Sequence, residues 1–373
     1  MFSPDYLVFL TTIAAIYAIF SLGLNLQWGF TGLMNFGHAG FMAIGAYGAI
    51  LLNLAGVPML VAVLIGGGLA ALLGLLMGIS TLRLREDYLA IVTIGFSEII
   101  RLVAKNEDWL TQGDLGIQGL KIPLETFKPN VFTRYGMVAI ITAIVGLGAW
   151  RTGRYFWTQF RAAQGLALIS TGIGAGLIGL VGLSAYSVCV QALLNFKRQP
   201  AQTALMLLSV MTLALVYVGL ERLVHSPWGR VLKAIREDEA VPRALGKNIF
   251  SYKLQSLMLG GFIAGVGAVL LAWQLTNLNP EQYKTDITFT TWTIVVLGGA
   301  GSNPGTILGA VIFCAYNSIT RDLDKLPLLS ALKLQADQIG ALRIMLIGLI
   351  LMGLMIWRPQ GILGNKDELS LNR

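Results

Sequence analysis

Apolar residues fill this chain in long blocks, and charged residues only punctuate them. Between residues 6 and 82 there is no Asp, Glu, Lys or Arg, and His38 is the one imidazole in the run. Further charge-free runs cover 162–196, 199–220, 254–280 and 287–320. A hydrocarbon core needs about 20 apolar residues per helical crossing, so the first run alone holds roughly three. The pattern predicts spans at 6–28, 37–55, 58–82, 88–104, 135–150, 166–195, 202–224, 254–278, 287–320 and 339–357, with 287–320 divided in its middle. The expected fold is all-α, a polytopic transmembrane helical bundle of about eight to eleven spans. Residues 1–373 read as a single transmembrane domain.

Composition narrows the function classes. Charged residues make up 12% of the chain, against about 25% in soluble domains. That is too little to coat a soluble surface, and it also excludes disorder, which needs polar and charged sequence. The net charge of +8 would raise nucleic-acid binding in a soluble protein. Here the positive-inside tendency explains it, and no nucleic-acid motif accompanies it, so membrane lipids are the expected surroundings. Cys189 and Cys314 both lie in apolar runs and indicate neither a disulfide framework nor a metal site. The first 28 residues lack a basic leading region and read as a first span, not a cleaved signal.

Basic residues also set an orientation. Residues 221–253 hold Arg222, Arg230, Lys233, Arg236, Arg243, Lys247 and Lys253 against four acids, which places this loop in the cytoplasm. Arg83 with Arg85, and Arg151 with Arg154 and Arg161, mark two further cytoplasmic turns. The balanced loop 105–134 is expected outside, and so is the N-terminus.

Several motifs of chemistry are missing. Gly174, Gly176 and Gly179 match the spacing GxGxxG, but they sit inside a charge-free run without the strand or acid that a dinucleotide site needs. No GxxxxGK[ST] occurs, so the chain does not use a P-loop for ATP, and no HExxH, GxSxG or cluster of acids points to an enzyme. No cofactor or metal is expected. Energy for active transport would come from a partner or from an ion gradient.

The loop 225–253 carries the most information. Pro227 suits the first turn of a short helix. Val231, Leu232 and Ile235 form its apolar stripe, with Arg230, Lys233 and Arg236 elsewhere. Glu237, Asp238 and Glu239 precede a second short helix, at the end where acids are favourable, and Gly246 is a natural stop. Such a loop is either a solvated basic turn or a docking surface for a soluble partner.

The stretch "SPWGRVLKAIREDEAVPRALGKN" resembles the EAA-type coupling loop of ABC importer permeases, and more narrowly that of the LivM-type permeases for branched-chain amino acids. "LGLNLQWGFTGLMNFGHAGFMAIGAY", "LREDYLAIVTIGFSEIIRLV" and "VVLGGAGSNPGTILGA" agree with the same family, in family order. The chain is similar to the neutral amino-acid permeases of cyanobacteria. Two departures stand out. Gly246 comes seven residues after Glu239 instead of the general six, with Pro242 at a usually small position. Residues 151–201 look like an insertion relative to the common family length.

The resemblance implies a division of labour in a bacterial plasma (inner) membrane. A second, LivH-like permease subunit would complete the pathway, two ABC ATPase subunits would dock below, and an extracytoplasmic solute-binding protein would deliver a neutral or branched-chain amino acid. Glu239, Ala240 and Gly246 would belong to the ATPase-contact motif, flanked by Arg230, Arg236, Glu237 and Asp238. A urea or short-amide permease shares the same blocks, and an ion-driven secondary transporter is the alternative from another class.

Six polar residues in apolar surroundings are candidates for a pathway or gate. Asn25, Asn35 and His38, with Gln27, lie among Gly29, Gly32, Gly37 and Gly40, where a broken helix could expose backbone groups to a zwitterion. A hydrogen-bonded histidine between helices is the plainer reading of His38. Glu98 and Arg101 are three apart on a predicted helix and can face each other, as a gate or as a structural ion pair near a helix end. The run Gly298–Gly305 opposes a continuous helix and predicts a sharp turn or re-entrant loop.

Overall fold

The computed structural model describes residues 4–83, 86–124, 129–162, 176, 179, 182–184, 186–194, 196, 200–321 and 336–364. Of the span expected at 166–195 and the insertion at 151–201, residues 163–175, 177–178, 180–181, 185, 195 and 197–199 lie outside the described residues.

The described chain is almost entirely helical. Helix α1 (Pro4–Asn25) continues as a π-helical turn (Leu26–Phe30), and α2 (His38–Leu54), α3 (Met59–Thr81) and α4 (Glu86–Asn106) follow. Next come α5 (Val131–Ala162), α6 (Pro200–His225), α7 (Pro227–Glu237), α8 (Ala240–Ala244) and α9 (Ile249–Leu275). The chain closes with α10 (Thr285–Gly298), α11 (Asn303–Thr320) and α12 (Ala336–Trp357). Two-residue strands at Ile117–Gln118 and Asn277–Leu278 pair antiparallel.

Among the described residues, five helices are long and apolar enough to cross a membrane: Asp5–Phe30, Met59–Thr81, Pro200–His225, Ile249–Leu275 and Gln338–Trp357. The pair α10–α11 makes a sixth if counted as one span, and it is bent by 117° at its break. The shorter apolar helices His38–Leu54 and Val131–Gly146 match two further expected spans. The fold is therefore an all-α polytopic bundle. Helix α4, the span expected at 88–104, is amphipathic because it carries Glu98, Arg101 and Lys105 on a helix with exposed Ile91, Ile99, Leu102 and Val103.

The chain divides into two compact units, Met1–Ile13 with Lys121–Ala214, and Ala14–Leu120 with Leu215–Arg373. The first has its own core of Val8, Ile141, Cys189, Leu193, Phe196, Ala204, Met206 and Leu207.

The second unit holds every candidate site residue. Its centre is the contact of α2, α3 and α9, made through glycine. A Cβ on Gly45 would fall 2.2 Å from Gly265 Cα, and one on Gly66 would fall 2.5 Å from Gly45 O. Removing the side chains brings the backbones together, the usual way membrane helices gain close van der Waals contact. Local signals fix the helix ends. Asn248 caps α9 by accepting from Ser251 N at 3.3 Å, and Ser302 caps α11 by accepting from Gly305 N at 3.2 Å. The break between α10 and α11 uses Gly299 (φ +115°) and Gly301 (φ +78°), backbone that favours glycine.

Candidate functional site

The loop after α6 forms the two short helices expected from sequence. Pro227 opens α7, whose Leu232 and Ile235 are fully buried while Val231 is half-buried. Gly229 permits the turn from α6 into α7, since a Cβ there would fall 2.2 Å from Val224 O. Asp238 Oδ1 accepts from Ala240 N at 2.8 Å and so sets the entry to α8. Gly246 adopts φ +72° just beyond α8.

The loop is fastened to the helices beneath it. Trp228 Nε1 donates to Gln255 Oε1 of α9 at 2.7 Å. Glu239 is ion-paired with Lys253 at the start of α9, and with Arg243 at 3.7 Å. Arg236, placed off the apolar stripe of α7, is half-buried and donates through Nη1 to Gly29 O. Lys233 Nζ lies 5.6 Å from the centre of the Phe30 ring. The other face is open: Arg230, Glu237, Asp238, Ala240 and Gly246 are exposed, as are Val241 (53%) and Leu245 (73%).

Beneath the loop the polar residues 25–38 form a buried network. Asn25 Nδ2 donates to Asn303 Oδ1 at 3.2 Å, and Asn25 Oδ1 accepts from Gly301 N at 2.9 Å. Asn303 Nδ2 in turn donates to Glu221 Oε1 at 3.1 Å, at the end of α6. Gln27 Nε2 donates to Leu257 O at 3.0 Å, and Asn35 Nδ2 to Gln27 Oε1 at 2.9 Å. Asn35 also accepts twice, from Gly37 N at 2.8 Å on its side chain and from Trp292 Nε1 at 3.0 Å on its carbonyl. His38 Nε2 contacts Phe20 O at 3.1 Å. Asn25, Gln27, Asn35 and His38 are all at most 1% exposed. The arrangement satisfies the amides that would otherwise be costly in an apolar bundle.

Glu98 and Arg101 belong to a different cluster at the opposite end of α9. That helix has 27 residues, so at 1.5 Å per residue the two ends lie about 40 Å apart. Arg101 donates from Nε and Nη2 to Glu98 and, at 2.7 Å, from Nη1 to Glu281 Oε1. Lys105 Nζ reaches Glu281 Oε1 at 3.3 Å and Asp114 Oδ1 at 3.2 Å, and Lys284 pairs with Glu281 as well. Arg101 is thus half-buried and held by a partner 180 residues away instead of snorkelling alone. Lys284 and then Lys105 push the Glu281 carboxyl down to about 2.

Sequence reasoning paired Glu98 with Arg101 but missed Glu281, Asn303 and Glu221. Asn303 lies in the glycine-rich run read as a turn, and Glu281 directly follows a charge-free run. Those were the available signals. Among the described residues, no group of three or more His, Cys, Asp or Glu is placed to hold a metal ion.

Comparison with known proteins agrees with this architecture. The chain is 33% identical to the high-affinity branched-chain amino acid transport system permease protein LivM of Escherichia coli K12, over 95% of this chain and 69% of that protein. It is 26% identical to a probable branched-chain amino acid transport permease protein LivM of Methanocaldococcus jannaschii, over 95% of this chain and 92% of that one. The LivH protein of the same kind of system in Salmonella typhimurium is 24% identical, over 98% of both chains. No solved structure matches. The family described as branched-chain amino acid transport system / permease component matches residues 6–355, and the chain belongs to that family.

Proposed function

We propose that this chain is a membrane-spanning subunit of an ABC-type importer, carrying branched-chain and other neutral amino acids into the cytoplasm, with ATP hydrolysed on separate subunits. The observation that carries the reading is the α7–α8 loop. One face is fastened to α9 and to the π-helical turn, and the other presents exposed Val241, Leu245 and Gly246 beside exposed charges. Such a loop moves with the helices it holds and leaves a mixed apolar and charged surface for a soluble partner. The partners are a LivH-like second permease, two ATPases and an extracytoplasmic binding protein, in the plasma membrane. ATP-driven approach of the ATPases displaces the loop as a lever, and the helices it holds rock between outward and inward openings.

The named relatives are branched-chain amino acid permeases, which favours that substrate class over urea. Uptake of labelled leucine, alanine, proline, glutamine and urea, compared with and without the gene, tests it. Vesicles holding the assembled transporter separate ATP drive from ion drive. The expected result is amino-acid uptake that needs ATP and survives collapse of ion gradients. Uptake of urea alone, or uptake without ATP, refutes the proposal.

A further inference from the structure

We infer that Asn25 is a positioning residue that passes movement of the α7–α8 loop to the bent pair α10–α11. The inference rests on the proposal that this loop couples the chain to ATPases.

The π-helical turn 26–30 stands between the two. π-Helical turns are widened, interrupt an otherwise regular helix, and recur at functional sites. On one side, Arg236 donates to Gly29 O, and Gly32 (φ +80°) makes room for that side chain, with a Cβ there only 3.3 Å from Arg236 Cγ. On its other side, Asn25 spends both ends of its amide on the α10–α11 turn, through Gly301 N and Asn303 Oδ1. No slack separates these contacts. A Cβ on Gly29 would fall 2.1 Å from Asn25 Oδ1 and 2.4 Å from Gly301 N. Close-packed groups of this kind transmit displacement instead of absorbing it. Asn303 then ties the turn to Glu221, the end of the helix that leads into the loop. The result is a closed circuit of contacts from α6 through the turn, Asn25 and Gly29 to Arg236 on α7.

The bent pair is built to move as one body. A Cβ on Gly298 would fall 2.1 Å from Gly305 O, and one on Gly309 would fall 2.3 Å from Ile294 O, so the arms are clamped together beside their turn. A push on Gly301 therefore displaces both arms.

The test uses the complete transporter in vesicles, with ATP hydrolysis and uptake measured together. Spin labels go on Ile79→Cys of α3 and Ile319→Cys of α11, both exposed apolar positions, and the native Cys189 and Cys314 are buried. In the wild-type background, trapping the ATPases with ATP and vanadate changes the 79–319 distance. In Asn25→Ala, ATP hydrolysis stays within about twofold, uptake per ATP falls at least about tenfold, and the distance no longer responds, a loss within the usual range of coupling free energies. Unchanged uptake per ATP in Asn25→Ala overturns the inference. So does a wild-type distance that ignores trapping, which decides the matter even if the variant fails to assemble. Failure of the coupling-loop proposal itself looks different: Gly246→Trp then transports normally.

Discussion

Gly246 separates a backbone effect from a partner effect. Its φ of +72° is left-handed, and no heavy atom lies within 4 Å of where a Cβ would sit. Any L side chain there pays roughly 1–2 kcal/mol for the conformation. Loss of glycine's freedom in the unfolded chain returns about 0.4–1 kcal/mol, leaving about 1 kcal/mol of destabilisation. Because the space is open, that figure is the same for Ala and Trp in the isolated chain. In the assembled transporter they part company. If an ATPase closes over this position, an indole must be forced into a filled contact, and overpacking costs about 1–3 kcal/mol, equivalent to about 5- to 150-fold. Gly246→Ala and Gly246→Trp are therefore expected to share one heat-denaturation midpoint as purified subunits, slightly below wild type. Uptake in vesicles should remain near wild type for Ala and fall about tenfold or more for Trp. Equal uptake by the two variants refutes the reasoning, because the space at Gly246 would then stay open in the working complex.

Gly45→Ala should destabilise the bundle while Gly68→Ala should not, since a Cβ meets Gly265 Cα at 2.2 Å in the first case and nothing within 4 Å in the second. The heat midpoints of the two variants check this, with a loss of about 1–3 kcal/mol expected for Gly45→Ala. Asn35→Ala strands the Gln27 side-chain carbonyl and the Gly37 N–H, each costing about 1–3 kcal/mol when buried without a partner, and a variant as stable as wild type would remove the network from the account of the fold. Glu281 gives a pH dependence of known sign. Its carboxyl titrates near 4.5 when unfolded and is held at about 2 in the fold, so its contribution is complete above about pH 4.5 and is lost as pH falls toward 2. The heat-midpoint difference between wild type and Glu281→Gln should accordingly be constant from pH 6 to 7 and close at acid pH, and a difference that grows on acidification contradicts the ion-pair cluster.

What could be read from the sequence was local. Charge-free runs located the apolar helices because charge is excluded from the hydrocarbon wherever it lies in the chain. Pro227 and Gly246 bracketed the two short helices, and four glycines with Pro304 marked the α10–α11 turn, because these residues act through their own backbone. The misses share one cause. Asn25 meets Asn303 across 278 residues, and Arg101 meets Glu281 across 180. Apolar periodicity reports which face of a helix is buried, not which remote segment covers it. Arg236 shows the same limit: the stripe of α7 gave it no partner, but Gly32 leaves a site for it against the π-helical turn.

The two kinds of contact in the second unit divide it mechanically. Helices α2, α3 and α9 meet backbone to backbone at Gly45, Gly66 and Gly265. No small sliding is possible there without losing dispersion contacts along whole helices, so this part behaves as a fixed frame. The pair α10–α11 meets its neighbours through separate side-chain contacts instead: Ala39 N of α2 donates to Thr288 Oγ1 at 2.9 Å, Trp292 Nε1 donates to Asn35 O at 3.0 Å while its ring packs against Trp28 and Phe36, and Asn25 of α1 holds the turn. Each such bond is worth only about 0.5–1.5 kcal/mol net, and each donor can exchange partners as a unit rotates. An importer needs one part that holds its shape and another with a few exchangeable fastenings. The glycine-packed frame and the hydrogen-bonded bent pair meet those two needs, and they meet each other beside the residue that touches the loop's own anchor.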